Sequence, residues 1–421
     1  VSRSLYAVLV GTFTLRFSTG LTGGLLVFYL DDLGVSELTL AILTATFFAA
    51  ELILSTPFGL LSDRWGHHRV MQIGPIFGAI AVVLTWATTD MLVIGGTRWL
   101  EGASTAASVP SILGFIAMVS AGDELLRGRA SARFEGATLA GLGVGIVAAG
   151  VLYDGIPGVL PGLGRAAFLL NAVIYAISFA IYRFGVEPPA GEAATLRAPH
   201  YGWRRYASLL TTSHVWLLAP TWIAINAALG LWTSQSIFQL IREPKPEFAN
   251  QLLMGGFGGA QVSLGLGVGL LVFFAGLAYW GERFKNLRRT TIIFYGIVGG
   301  AAAVGAAIGI NHSAGMPDPV RVAFALVAAA GVFVLAGATP AALGLLADVS
   351  EAYPADRGAI MGLYSVFLAV GQITGGFIGA EAAVRAGIDG ILVSTIVLLA
   401  VAVVPLARLR SFEHVVGVAP G

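Results

Sequence analysis

Arg98 and Glu101 stand three residues apart inside an apolar run, so a helix there puts them on one face. A carboxylate beside a guanidinium in a low-dielectric setting can take up and release a proton as the conformation around it changes. The same two residues can equally form a permanent ion pair that orients the helix, and the sequence leaves both readings open. Arg16 and Glu51 are a second combination, near the midpoints of the first and second apolar runs. Adjacent antiparallel helices would hold them at similar depth, where an unpaired charge is costly. Arg16 can then contact an anionic ligand, control the protonation of Glu51, or simply pair with it. A third feature is the cassette Gly59-Leu60-Leu61-Ser62-Asp63-Arg64-Trp65-Gly66-His67-His68-Arg69, bracketed by apolar runs on both sides. It reads as a tight, charged turn at a membrane surface, able to act as a latch between helices or only to hold its charges on one side. None of this makes an enzyme. The six histidines are dispersed, with His67 and His68 expected in a surface loop, and the glycines of 141–145 lie within an apolar run where they cannot cradle a phosphate. No catalytic residue, metal site or bound cofactor is expected.

The elements that must position these residues are membrane spans. Of the 421 residues, 57% are hydrophobic and 11% charged, against roughly 25% charged in soluble domains. A net charge of +1 gives no basic face for nucleic acid. The lack of cysteine excludes disulfides and thiolate chemistry. No cleavable signal is expected, since Arg3 leads directly into a run of full span length. Twelve spans are expected near 5–30, 38–61, 70–88, 91–119, 134–153, 166–184, 213–239, 256–280, 290–310, 320–346, 359–384 and 388–407. Seventeen Lys and Arg then fall on the side of both termini and five on the other, which makes the termini cytoplasmic.

The chain reads as a duplication. Pro110, Gly114, Ala117, Val119 and Ser120 recur 230 positions later as Pro340, Gly344, Ala347, Val349 and Ser350. Leu139, Ala140 and Gly150 recur as Leu368, Ala369 and Gly379, and Asp63-Arg64 has a worn copy in Glu282-Arg283. Two six-helix halves are expected, residues 1–184 and 212–421, joined by a cytoplasmic linker over 185–211 that is rich in proline and charge. Within the linker, Trp203–Tyr206 can lie at the interface as a short amphipathic piece.

The pattern Gly59-x-x-x-Asp63-Arg64-x-Gly66 resembles the loop between the second and third helices of the major facilitator superfamily, with His67-His68-Arg69 replacing its final basic pair. The parallel duplication fits that architecture. The resemblance implies an all-α fold of twelve transmembrane helices in two pseudo-symmetric halves, working by alternating access. It also implies a cytoplasmic latch made of Gly59, Asp63, Arg64, Gly66, Arg69, Arg129, Glu282 and Arg283. Asp63 would meet the N-terminal end of helix 11 near Gly358, or pair with Arg129. Arg98-x-x-x-Gly102 is similar to the helix 4 signature of proton-coupled members, particularly drug–proton antiporters. Helix 5 carries Gly136, Gly141, Gly143, Gly145 and Gly150 without the proline those antiporters commonly have, and Glu135 is expected in the gate network with Arg129 and Arg133.

The candidates for proton coupling are therefore Glu51, Arg98 and Glu101; those for a substrate cavity are Arg16, Trp222, Asn226, Trp232, Gln235, Thr339 and Gln372. Trp222 and Trp232 can instead anchor or pack, and Gln372 can merely bridge helices. The leading expectation is a monomeric transporter in the cytoplasmic membrane that exports a small amphipathic or lipophilic solute, with the proton as coupling ion. Uptake of a polar or anionic metabolite by proton symport, and translocation of a lipid or lysolipid, stay open. So does a non-transporting receptor or delivery protein built on the same fold.

Overall fold

Apolar runs that cross lipid must satisfy their own backbone groups, and helix is how a single segment does so. The computed structural model describes residues 3–120, 124–188, 215–283, 287–351 and 357–412. They form α1 (Arg3–Asp32), α2 (Glu37–Trp65), α3 (His67–Val70), α4 (Ile73–Ala87), α5 (Met91–Val119), α6 (Glu124–Asp154) and α7 (Ala167–Gly185). After the undescribed stretch come α8 (Val215–Ile241), α9 (Gly259–Arg283), α10 (Arg289–Asn311), α11 (Asp318–Leu335), α12 (Ala338–Glu351) and α13 (Arg357–Phe412). The sheet among the described residues is a two-residue ladder, Gly155–Ile156 against Leu160–Pro161, between α6 and α7.

Eleven described segments are long and apolar enough to cross a membrane. The last, Val366–Ser411, has 46 residues, about twice the length a bilayer requires. It breaks at Ala386 and Gly387, where Gly387 takes φ +60°. Beyond the break Gly390 lies against the Ala382 carbonyl, a residue about 12 Å away along a straight helix. The chain reverses there, so the two spans expected over 359–384 and 388–407 are the arms of this one run.

Two expectations need correction. The cassette over 59–69 is mostly helix: α2 continues through Pro57 and Gly59 to Trp65, and the turn is confined to Gly66, whose φ of +98° suits glycine. His67 is not in a surface loop. It is buried against Gly114 of α5, and its Nδ1 lies 3.1 Å from Ser62 Oγ. The tenth span is found as one segment, Asp318–Ala342; a short turn separates α11 from α12 within it, where Gly337 has no room for a Cβ because the Trp280 ring is 2.7 Å from that position. The linker over 189–211, Trp203–Tyr206 included, lies outside the described residues.

The chain forms two compact units, one of residues 1–35, 43–200 and 258–264, the other of 36–42, 201–257 and 265–421. In the first, α1 and α6 run parallel with their backbones touching. A Cβ on Gly20 would sit 2.2 Å from the Leu142 carbonyl, and one on Gly145 2.2 Å from the Phe17 carbonyl. In the second, α8 meets α13 the same way, Gly375 against the Ala227 carbonyl and Gly230 against that of Gln372. Small residues permit this approach where lipid supplies no hydrophobic drive between helices. The rest of the second unit packs on two apolar clusters, one around Trp222, Ile292, Ile293 and Leu345, the other around Leu231, Ile391 and Leu392.

Candidate functional site

The interior of the first unit holds two polar layers about one helical turn apart. In one, Arg98 and Glu101 of α5 form an ion pair, 8% and 3% exposed. The guanidinium also stacks 4.8 Å over the Phe47 ring of α2, a contact that suits a desolvated cation. The pair leaves capacity unused: Arg98 Nε and Glu101 Oε1 are buried without a hydrogen-bond partner among the described residues. Thr22 lies beside the carboxylate, but its hydroxyl donates to the Ser18 carbonyl at 2.9 Å. Asn171 of α7 braces this stretch of α1, donating to Ser18 O and Thr22 Oγ1. Tyr175, fully buried, completes the surroundings of Glu101.

The other layer is built on Arg16 of α1, which is 9% exposed and donates to Thr105 Oγ1 of α5 at 3.4 Å. Gly102 packs on the Phe47 carbonyl and Ala50 of α2, so Glu51 of α2 falls at the depth of Thr105, one turn further along α5. Glu51 itself is half-buried. Tyr182 of α7, fully buried, packs against Gly11 of α1. Arg129 and Arg133 are exposed, and Glu135 is half-buried on α6.

Other candidates lie apart from these layers. Arg64, Arg69, Arg129 and Arg283 are exposed, and Gly59 has open space about it apart from Pro110 at 3.8 Å. The side chains of Asp63 and Glu282 fall outside the described residues, as does the side-chain environment of Gly358. In the second unit Trp222 sits in the apolar core, and its carbonyl accepts from Asn226 Nδ2 at 2.9 Å. Trp232 Nε1 donates to Thr395 Oγ1 at 2.9 Å, Gln372 Oε1 accepts from Thr233 at 2.9 Å, and Thr339 lies half-buried in the first turn of α12.

One cluster escaped the sequence reading. Residues 36–42, the start of α2, belong to the second unit. There the buried Glu37 carboxylate meets Arg242 at 2.6 Å and Lys245 at 3.2 Å, and the Glu37 carbonyl accepts from Gln235 at 3.1 Å. The signal was present in an acid opening a helix and two cations three residues apart, but nothing in the sequence joins positions two hundred residues distant. Gln239, one turn beyond Gln235, is fully buried with both amide atoms unpartnered among the described residues. The start of α9 mirrors this, its Gly259 N–H donating to Asp154 at 2.6 Å within the first unit.

A many-spanning helical protein with acid–arginine pairs inside one unit is built as a membrane transporter. The profile of the Major Facilitator Superfamily matches residues 8–314, and the chain belongs to that family, whose members are transporters and not enzymes. Quinolone resistance protein NorA of Staphylococcus aureus (strain MSSA476) is 22% identical over 254 residues, 59% of this chain and 61% of NorA. The chain thus spans about three-fifths of that relative's length. The uncharacterized MFS-type transporter MJ1560 of Methanocaldococcus jannaschii is 23% identical over 154 residues, 37% of this chain and 39% of that protein. Among solved structures, the nucleoside transporter NupG superposes with a TM-score of 0.69 at 13% identity, covering 97% of this chain and 99% of NupG. Its D323A mutant gives 0.70 at 14%, with the same coverage. At that identity the likeness is one of fold.

Proposed function

We propose that the protein exports a small amphipathic or lipophilic organic solute from the cytoplasm by alternating access, driven by protons moving the other way. The observation that supports this reading is the buried Arg98–Glu101 pair in the interior of the first unit. An ionised pair in an apolar interior is weak evidence of stability, because removing two charges from water costs several kcal/mol per ion. Such a pair, with Arg98 Nε and Glu101 Oε1 unpartnered among the described residues, is better explained by a proton that comes and goes. The similarity to a quinolone resistance protein supports export, since removing a compound confers resistance to it. Polar aromatic and amide side chains on α8 and α13, among them Trp232, Gln235 and Gln372, supply contacts for a largely uncharged solute. The cassette around Asp63, with Arg129 and Glu282-Arg283, is assigned to the cytoplasmic gate, both termini to the cytoplasmic side, and the working form to a monomer.

The test is solute-triggered proton movement in proteoliposomes, read with an internal pH dye, for the unmodified protein, Glu101→Gln and Glu51→Gln. Proton flux on adding lipophilic solutes, lost in either variant while solute binding persists, is the expected result. Tracer flux that proceeds with no proton movement in the unmodified protein overturns the coupling.

A further inference from the structure

The connection from α6 to α7 is apolar where a water-facing loop would be polar. Residues 155–164 hold no charged side chain, yet Ile156, Val159, Leu160 and Leu163 are exposed, Val159 at 79%. By contrast, the connection over 88–90 carries Asp90, and that over 242–258 carries Arg242, Glu243, Lys245 and Glu247. The exposure is not that of a loose loop. Gly155–Ile156 pairs with Leu160–Pro161, and the Val159 N–H donates to the Ile156 carbonyl at 3.0 Å. Pro157 followed by Gly158 at φ +74° makes Ile156–Val159 a type II turn. The Leu163 N–H returns to the Leu152 carbonyl of α6 at 2.9 Å. A fixed backbone therefore holds these apolar side chains outward. The root of the hairpin is marked for depth. Arg165 donates to the Trp86 and Thr88 carbonyls at the end of α4, its guanidinium lies 5.0 Å from the Tyr29 ring centroid, and Trp86 is exposed. An exposed tryptophan beside an arginine at the ends of apolar spans marks a water–lipid boundary. The hairpin joins two such spans, Ala132–Asp154 and Gly164–Gly185, so it starts at that boundary.

We propose that this hairpin is a lipid-binding surface, with Ile156, Val159, Leu160 and Leu163 seated among the headgroups and upper acyl chains of the adjacent leaflet. The occupant is lipid for three reasons. The chain runs from the hairpin directly into α7, whose exposed Leu170, Val173 and Ile177 share one helical face that lipid covers. The hairpin is short: about three residues, or about 10 Å, against a headgroup layer of about 5–7 Å on each side. It has little length with which to stand clear in water, and standing there would hydrate its apolar side chains with no compensating contact. Four side chains also fall far short of the roughly 800 Å² per partner that a stable protein interface buries. Seated in lipid, the hairpin holds the joined ends of α6 and α7 at one depth in the bilayer, whatever solute the protein carries.

The chain has no cysteine, so Val159→Cys supplies a single thiol for a polarity-sensitive fluorophore, at a side chain that points out of the fold. The full chain is placed in vesicles of phosphatidylethanolamine and phosphatidylglycerol. Glu247→Cys, exposed in the charged connection from α8 to α9, is labelled separately as the aqueous reference. The label at Val159→Cys should emit at shorter wavelength than the reference, and should be quenched more by spin-labelled lipid than by aqueous iodide. The reference should show the reverse. Adding Leu160→Asp should move the Val159→Cys emission back toward the reference and raise its quenching by iodide, since a carboxylate resists entering the bilayer. Emission and iodide quenching at Val159→Cys equal to those of the reference overturn the proposal. A lipid-like signal seen in native membranes but absent from the pure lipid vesicles also overturns it, and assigns the patch to a protein. An emission that Leu160→Asp leaves unchanged overturns it as well, because the apolar side chains are then not what seats the hairpin.

Discussion

A buried carboxyl can discard its charge by taking up a proton, whereas a buried arginine keeps its charge at any working pH. The Arg98–Glu101 pair should therefore respond unequally to losing either member. Glu101→Leu strands a guanidinium that retains only the Phe47 face, and should cost about 3–5 kcal/mol, the range for breaking a buried pair. Arg98→Leu leaves an acid that neutralises itself, so its loss should be clearly smaller. The double leucine variant should recover most of the stability, as replacing a whole buried pair by packed apolar groups generally does. Thermal unfolding of the purified protein followed by tryptophan fluorescence measures all three; equal losses for the two single variants contradict the argument. This pair was legible in the sequence because both residues lie on one helix, where a spacing of three decides proximity. His67 was not: a polar residue in a charged stretch looks exposed until Ser62 and Gly114 are seen to receive it.

Helices in this chain are held at distances set by which residue lacks a side chain. Gly20 and Gly23 occur three residues apart on α1, yet they stand in opposite situations. A Cβ on Gly20 would sit 2.2 Å from backbone of α6, and one on Gly23 would meet nothing within 4 Å. Gly20→Ala must push α1 from α6 and should destabilise by about 1–3 kcal/mol, as overpacking does. Gly23→Ala should be neutral or stabilising by up to about 1 kcal/mol, since alanine is the better helix former. A shared midpoint in a thermal melt of the two variants would rule out the backbone seam as the determinant. At this scale the sequence was informative about where helices run and poor about how they end. Long apolar runs locate α5 well, and the structure shows it opened by Asp90, whose carboxylate accepts from the Leu92 and Val93 amides. The turn at Gly66 falls within the cassette read as a turn, whereas the break at Gly337 could not be told from the many glycines that sit inside helices.

Duplication is visible at the scale of the whole chain, in recurring Pro110 and Pro340 segments and in the matched glycine seams of the two units. The copies have diverged in what they carry. The first unit kept its charges inside, and the second became apolar and amide-bearing, a difference already apparent from residue types alone. What residue types could not reveal is that the first turns of α2 are seated in the second unit through Glu37, Arg242, Lys245 and Gln235. Within that unit the contacts that hold the start of α2 can open locally without the unit unfolding. Charge-assisted hydrogen bonds contribute about 1.5–3 kcal/mol, reduced here because Arg242 and Lys245 are partly exposed. Taking about 1.4 kcal/mol for what Glu37→Gln removes, the population with the start of α2 released should rise about tenfold. The chain has no cysteine, so a thiol introduced by Gln239→Cys, at a position with 0% exposure, reports on that release without background. In proteoliposomes the Gln239→Cys thiol should react slowly with a membrane-impermeant maleimide, and about tenfold faster when Glu37→Gln is added. A rate unchanged by Glu37→Gln would mean that the clasp is static packing, leaving the turnover of the protein to be governed by other contacts.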